Sequence, residues 1–147
     1  MPHNLTQKEA DQLLQMEKVC LEKKVLKFPA LGNSLHIPLY SKPKKEDFIL
    51  DISRSNIVLE KNTLQMRARK KVVLVRLDTN GQHHRNPDNT EITCPHLHLY
   101  REGYDDKWAY PLPSTFTNPN DIIQTFKEFL IYCNVTSTQF IRTDILI

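Results

Sequence analysis

Three glycines in 147 residues, Gly32, Gly81 and Gly103, leave no room for a phosphate-cradling Gly-rich loop or a G-x-S-x-G nucleophile elbow. ATPase, dinucleotide-dependent and serine-hydrolase chemistries are thereby excluded. Cysteine is scarce too. Cys20, Cys94 and Cys133 are odd in number and far apart, which fits neither a disulfide framework nor a C-x-x-C metal or redox motif. A reducing cytoplasm is the expected compartment. Cys94, two residues from His96, is the one hint of a cysteine nucleophile. No apolar run approaches the roughly 18 residues of a membrane span. The opening "MPHNLTQKEA" lacks the layout of a signal peptide, so neither secretion nor insertion is expected. Charge of one sign is not in large excess: the net +3 and pI near 8.7 permit nucleic acid without implying it.

What is present describes an ordinary folding chain, with 39% hydrophobic and 25% charged residues and a length suited to one domain, 1–147. Thr6 and Glu9 form the sequence of a capping box. Leu13, Leu14, Cys20 and Leu21 follow at near-helical spacing, which predicts an amphipathic helix ending before Pro29. "LHIPLY" reads as a short edge strand, since Pro38 cannot donate to a ladder. The period then becomes two. Phe48, Leu50 and Ile52 share one face of a strand, "SRSN" turns, and "IVLE" is expected as a second strand.

In "TLQMRARKKVVLVRLD" the apolar phase slips near Lys70 and Lys71, without a turn residue at the slip. One long bulged strand is therefore preferred to a tight hairpin. Residues 79–95 carry loop signals, "HLHLY" and "WAYPL" read as paired strands around the turn "REGYDDK", and Asn118-Pro119 is expected to start a second helix. Its apolar stripe is Ile122, Phe126, Phe129, Leu130 and Cys133, with Asn134 as the stop. "QFIRTDILI" reads as a last strand or a docked tail. The expectation is α+β, a curved antiparallel sheet of about five strands with an N-terminal and a C-terminal helix.

Four of the six histidines fall between positions 83 and 98. Strand alternation points His96 and His98 together, with Tyr100 in the same phase, onto a solvent or cleft face, while Leu97 and Leu99 point to the core. One reading makes His96 and His98 the acid and base of metal-independent phosphodiester cleavage, with His84 as helper and Tyr100 as relay or stacking group. Arg85 and Arg101, or the row Arg67, Arg69 and Lys71, would clamp phosphate, and Trp108 would stack bases. A second uses His96 and His98 as metal ligands completed by Asp88, His84 or Glu102, zinc being the implied ion. A third is structural: the histidines tie the sheet to the "NPD" loop, Asn86-Pro87-Asp88 is an Asx-type turn that pins it, and function lies in protein contact.

Arg76 and Asp78, His84 with Asn86-Pro87-Asp88, Pro95-His96 with His98, and Tyr100, Glu102-Gly103 and Lys107-Trp108-Ala109 form a pattern. It resembles that of a domain-of-unknown-function family of prophages and other mobile elements of Gram-positive bacteria. The resemblance implies an accessory protein inside a bacterial cell. Such proteins include toxins that cut RNA and proteins that grip a host or phage component, so the implied partner is RNA or a protein, with no membrane. Recognition of RNA or phosphodiester groups, with ribonuclease activity in view, is the leading expectation, and protein inhibition the alternative.

Overall fold

A meander of six antiparallel strands carries the molecule. The computed structural model describes residues 3–41, 45–58, 60–137 and 140–143. In chain order the elements are α1 (Gln7–Gln15), β1 (Leu26–Lys27), β2 (Ser34–Ser41), β3 (Glu46–Arg54), β4 (Asn62–Ala68) and β5 (Val72–Asp78), then β6 (His84–Arg85) and β7 (Glu91–Ile92). They continue with β8 (His96–Arg101), β9 (Asp105–Pro111), α2 (Ile122–Tyr132) and β10 (Ile141–Arg142). The main sheet runs β2-β3-β4-β5-β8-β9. This is a single α+β domain with six main strands, one more than the sequence pattern suggests. Among the described residues no helix is long and apolar enough to cross a membrane.

The period-two pattern sets the layers. Ile37, Leu39, Phe48, Leu50, Ile52, Leu64 and Met66 are fully buried on one face, and the register aligns Leu50 with Ile37 and Met66. Ala10 and Leu13 of α1 and Phe126 and Phe129 of α2 belong to the same core cluster, so both helices cover that face. The opposite face is polar: Asp51, Thr63, Gln65, Arg67, Arg76, Asp78, His96 and His98 share it through the pairings Asp51↔Gln65, Thr63↔Asp78, Gln65↔Arg76, Arg76↔His98 and Asp78↔His96. Pro38 lies on the edge strand as expected. Tyr40, two residues on, sends its N–H outward to Val19, so at the same parity a proline removes no ladder bond.

Several local expectations fail for identifiable reasons. Helix α1 has its Thr6–Glu9 capping box but ends at Gln15. The chain turns inward there because Lys18, 0% exposed, donates from Nζ to the carbonyls of Leu14 (2.7 Å), Met16 (2.9 Å) and Cys133 (2.7 Å). Burial pushes its pKa down to about 8, so it remains an ammonium at neutral pH with three N–H groups for three acceptors. Cys20 and Leu21 lie beyond the helix. Residues 55–58 form no strand, since the Ser55 hydroxyl accepts from the Ile57 and Val58 N–H groups and Ile57 is 86% exposed. Leu59 of that expected strand lies outside the described residues.

β4 and β5 form a tight hairpin rather than one long strand. Arg69 and Lys70 both take left-handed conformations (φ 52° and 68°), with Lys71 N–H donating to Ala68 O at 3.2 Å. No glycine is there to favour this turn. Arg69 is held instead by Glu46 (3.0 Å), and its N–H by Asp47 O (3.0 Å). The bulge exists as well, one strand later: Val73 pairs with Arg67 and Val75 with Met66, leaving Leu74 as the extra residue that shifts the apolar phase. Helix α2 is capped by Asp121, whose side chain accepts from Gln124 N, because Asn118 and Pro119 form a preceding turn. Asn134 stops it in a left-handed conformation (φ 56°). The tail contributes β10, which pairs parallel with β1. Gln139 and residues 144–147 lie outside the described residues.

Candidate functional site

His96 and His98 face away from Leu97, as alternation requires. They are not at the surface: their exposures are 2% and 1%. The expected solvent or cleft face is covered by the 79–95 arm, which folds back over the sheet. Asn86 fastens it, its amide donating to Ala109 O (2.9 Å) while its Oδ1 accepts from Ala109 N–H (2.8 Å), as a paired strand residue would. His84 Nε2 donates to Lys107 O at 2.6 Å. The His84 ring thereby lies 4.6 Å from that of His98 and 6.0 Å from that of His96, and the His96 and His98 rings are 4.8 Å apart. Three imidazoles do converge, two of them beneath the arm that carries the third.

The residues that complete the cluster are Asp78, Arg76 and Asp106. Asp78 Oδ2 lies 3.3 Å from Nε2 of both His96 and His98, and Asp78 Oδ1 accepts from the Thr63 hydroxyl (3.0 Å). Arg76 reaches Asp78 (3.4 Å) through Nε, Asp106 (2.8 Å) through Nη1 and His98 Nε2 (3.0 Å) through Nη2. His98 Nδ1 faces the Asp106 carbonyl at 2.8 Å, which can only accept. The ring proton therefore sits on Nδ1, and Nε2 keeps a lone pair for the guanidinium. Burial alone would raise the Asp78 pKa, but the Arg76 charge and the Thr63 hydrogen bond outweigh it and hold the carboxyl well below its usual range. Burial depresses the His96 pKa. The centre thus sets a carboxylate and a guanidinium among three imidazoles.

Other residues singled out in the sequence do not reach this centre. Tyr100 stands at a bulge, where pairing shifts between Leu99 and Arg101, and points to the helix side. Its hydroxyl donates to Leu5 O (2.7 Å). Asp88 is an exposed turn residue whose Oδ1 accepts from Thr90 N–H (3.0 Å), so Asp78 rather than Asp88 joins the two histidines. Arg85 pairs with Glu91 (2.7 Å) on the arm and Arg69 with Glu46 (3.0 Å) at the β4–β5 turn. Arg101 lies over the Trp108 ring (4.1 Å), with Tyr104 edge-on to the indole at 5.9 Å. Glu102 accepts from Gln7 N–H (2.8 Å). Burial, then the Asp78 charge, raises the Cys94 pKa, which is the wrong direction for a nucleophilic thiolate.

Arg67 does share the polar face, in a second cluster. It grips Asp51 bidentately (2.6 and 2.9 Å), and the same carboxylate accepts from Gln65 (2.8 Å) and meets His36 Nδ1 (2.6 Å). Asp51, Gln65, Arg67, His36, Ser53 and Thr63 line a groove of about 400 Å³. Thr63 joins this groove to Asp78.

Sequence reasoning gave Arg76 and Asp78 no role, although both stand in the pattern. The available signal was spacing: Arg76-x-Asp78 puts both on one strand face in the same way as His96-x-His98. No curated protein and no solved structure matches the chain. A family model does match, over residues 5–135, and by it this chain belongs to DUF6978, a family of unknown function.

Proposed function

We propose that the chain recognises phosphate-bearing ligands of the RNA type on the polar face of the sheet, with Arg76 and Arg67 as guanidinium contacts. One observation carries the reading: a helix-free face joins a groove holding Arg67 and His36, through Thr63, to a centre holding Arg76 and three imidazoles. Arg67 now grips a carboxylate bidentately, in the geometry it would offer to phosphate oxygens, and Arg76 makes single contacts to two carboxylates. These two arginines replace Arg85 and Arg101, which point elsewhere.

With the arm in place, His96 and His98 are out of reach of a 2′-hydroxyl. The closed form binds. Metal-independent cleavage belongs to a form with the arm lifted, in which those rings serve as acid and base. The test is anisotropy of a labelled single-stranded RNA, in chelator, at several salt concentrations. Expected are salt-dependent binding and its loss in Arg76→Gln and Arg67→Gln. No binding at low salt removes the reading. Cleavage by Asn86→Ala but not by wild type would add the nuclease step, and intact RNA with both would leave recognition alone.

A second reading rests on the β8–β9 hairpin. Arg101, Tyr104 and Trp108 stack at its tip, the composition of a protein-contact hot spot. In it the protein grips a protein and the histidines are structural. A partner lost with Tyr104→Ala and kept with Arg76→Gln would favour it. The accessory role of a prophage-borne protein, which the sequence resemblance implies, accommodates either reading.

A further inference from the structure

We propose that Asp78, His96 and His98 form a binding site for a divalent transition-metal ion of the zinc class. The inference stands independently of phosphate recognition. The donors are two imidazoles and a carboxylate, brought together by the register that sets Asp78 opposite His96 and Arg76 opposite His98. One ligand atom from each lies within 4.8 Å of the others. Two edges of that triangle, from Asp78 Oδ2 to the two Nε2 atoms, are 3.3 Å. Ligands about 2.0–2.1 Å from a tetrahedral ion are spaced by about 3.3 Å.

The surroundings are those of a ligand set. His98 gives its Nδ1 proton to the Asp106 carbonyl, which turns the Nε2 lone pair inward, and Thr63 orients the carboxylate from behind. Three protein ligands leave a position for water or a ligand oxygen. The Asp78 side chain, 20% exposed, supplies the route in.

A cation already uses these donors. Arg76 Nη2 lies on His98 Nε2 and Nε beside Asp78. Metal and guanidinium therefore compete for the same lone pairs. The exchange is built in, because Asp106 holds Nη1 at 2.8 Å and can keep the displaced arginine at the rim. This competition gives the site an unusual signature: removing a positive charge that is not a ligand tightens binding.

The test is calorimetric titration of the chelator-stripped full chain with Zn²⁺, with Co²⁺ absorption as a geometric readout and Mg²⁺ as the control that imidazole donors disfavour. Expected is one Zn²⁺ per chain, with a visible Co²⁺ spectrum bleached by Zn²⁺. Arg76→Gln tightens Zn²⁺ binding about tenfold or more, while His98→Asn and Asp78→Asn weaken it at least about a hundredfold. Circular dichroism checks each variant, and Arg76→Gln keeps the test decisive if the ligand variants misfold. Absence of stoichiometric binding by both wild type and Arg76→Gln at millimolar Zn²⁺ overturns the site. So does unchanged affinity in a folded His98→Asn, which would put the ion on other histidines. RNA anisotropy in chelator reads the phosphate proposal separately, so either can fail alone.

Discussion

Asn86 and Ala109 exchange two hydrogen bonds, side-chain amide to backbone peptide, across 23 positions of sequence, and this pairing, with the His84–Lys107 bond beside it, lays the 79–95 arm over the histidines. Both partners are buried. Truncating the amide leaves a peptide N–H and C=O without partners where water is largely excluded. Asn86→Ala is expected to lower stability by about 2 kcal/mol and to increase hydrogen exchange in residues 84–98 before the rest of the sheet. Denaturant melts with site-resolved exchange check both. Uniform loss of protection, arm and sheet together, would show that the arm is not separately fastened.

Lys18 joins the ends of two helices. Its ammonium serves carbonyls of Leu14, Met16 and Cys133, at helix C-termini where the backbone dipole favours positive charge. Lys18→Met keeps the length of the side chain and strands all three acceptors. The expected loss is about 3 kcal/mol, read from urea melts. A loss below about 1 kcal/mol would mean that water replaces the ammonium.

Asp51 supplies a pH signature. Burial alone would raise its pKa, but hydrogen bonds from Arg67, His36 and Gln65, with the Arg67 charge, bring it below 3.8. A carboxyl with a lower pKa folded than unfolded stabilises the protein above its unfolded value and loses that contribution as pH falls through the folded one. The melting temperature of wild type is therefore expected to exceed that of Asp51→Asn at pH 6, with the gap narrowing as pH drops below 3.8. A gap that is constant with pH would assign the difference to packing.

The β4–β5 turn offers a gain. Lys70 takes φ 68° with a side chain that gains nothing from it, while its carbonyl serves Arg67 Nη1 (2.7 Å) and is unaffected by substitution. Lys70→Gly removes the left-handed penalty and is expected to stabilise by about 1 kcal/mol in thermal or urea melts. Destabilisation would show that the lysine stem packs on the turn.

What was legible in the sequence was whatever short-range geometry decides. Phe48-x-Leu50-x-Ile52 and His96-x-His98 declare their faces because the pleat alone sets a period of two. Thr6 and Glu9 declare a helix start because the cap closes within one turn. The rest depends on contacts distant in sequence. Nothing near Gln15 says that the helix ends there, since the reason is a carbonyl at Cys133. The Arg69-Lys70 turn is held by Glu46 and Asp47 of the preceding hairpin. The histidine face was readable and its burial was not, because the cover depends on Asn86 finding Ala109.

The order of the six strands in the sheet is their order in the chain, so each hairpin can zip onto the last as the polypeptide leaves the ribosome. The lysine clasp is the exception. Lys18 emerges early, yet one of its three acceptors is the carbonyl of Cys133, so the ammonium waits through the synthesis of the entire sheet. Final locking of the two helices against each other is thereby a late, post-elongation event. A nascent chain stalled before residue 133 contains all six strands of the main sheet and an unsealed N-terminal segment.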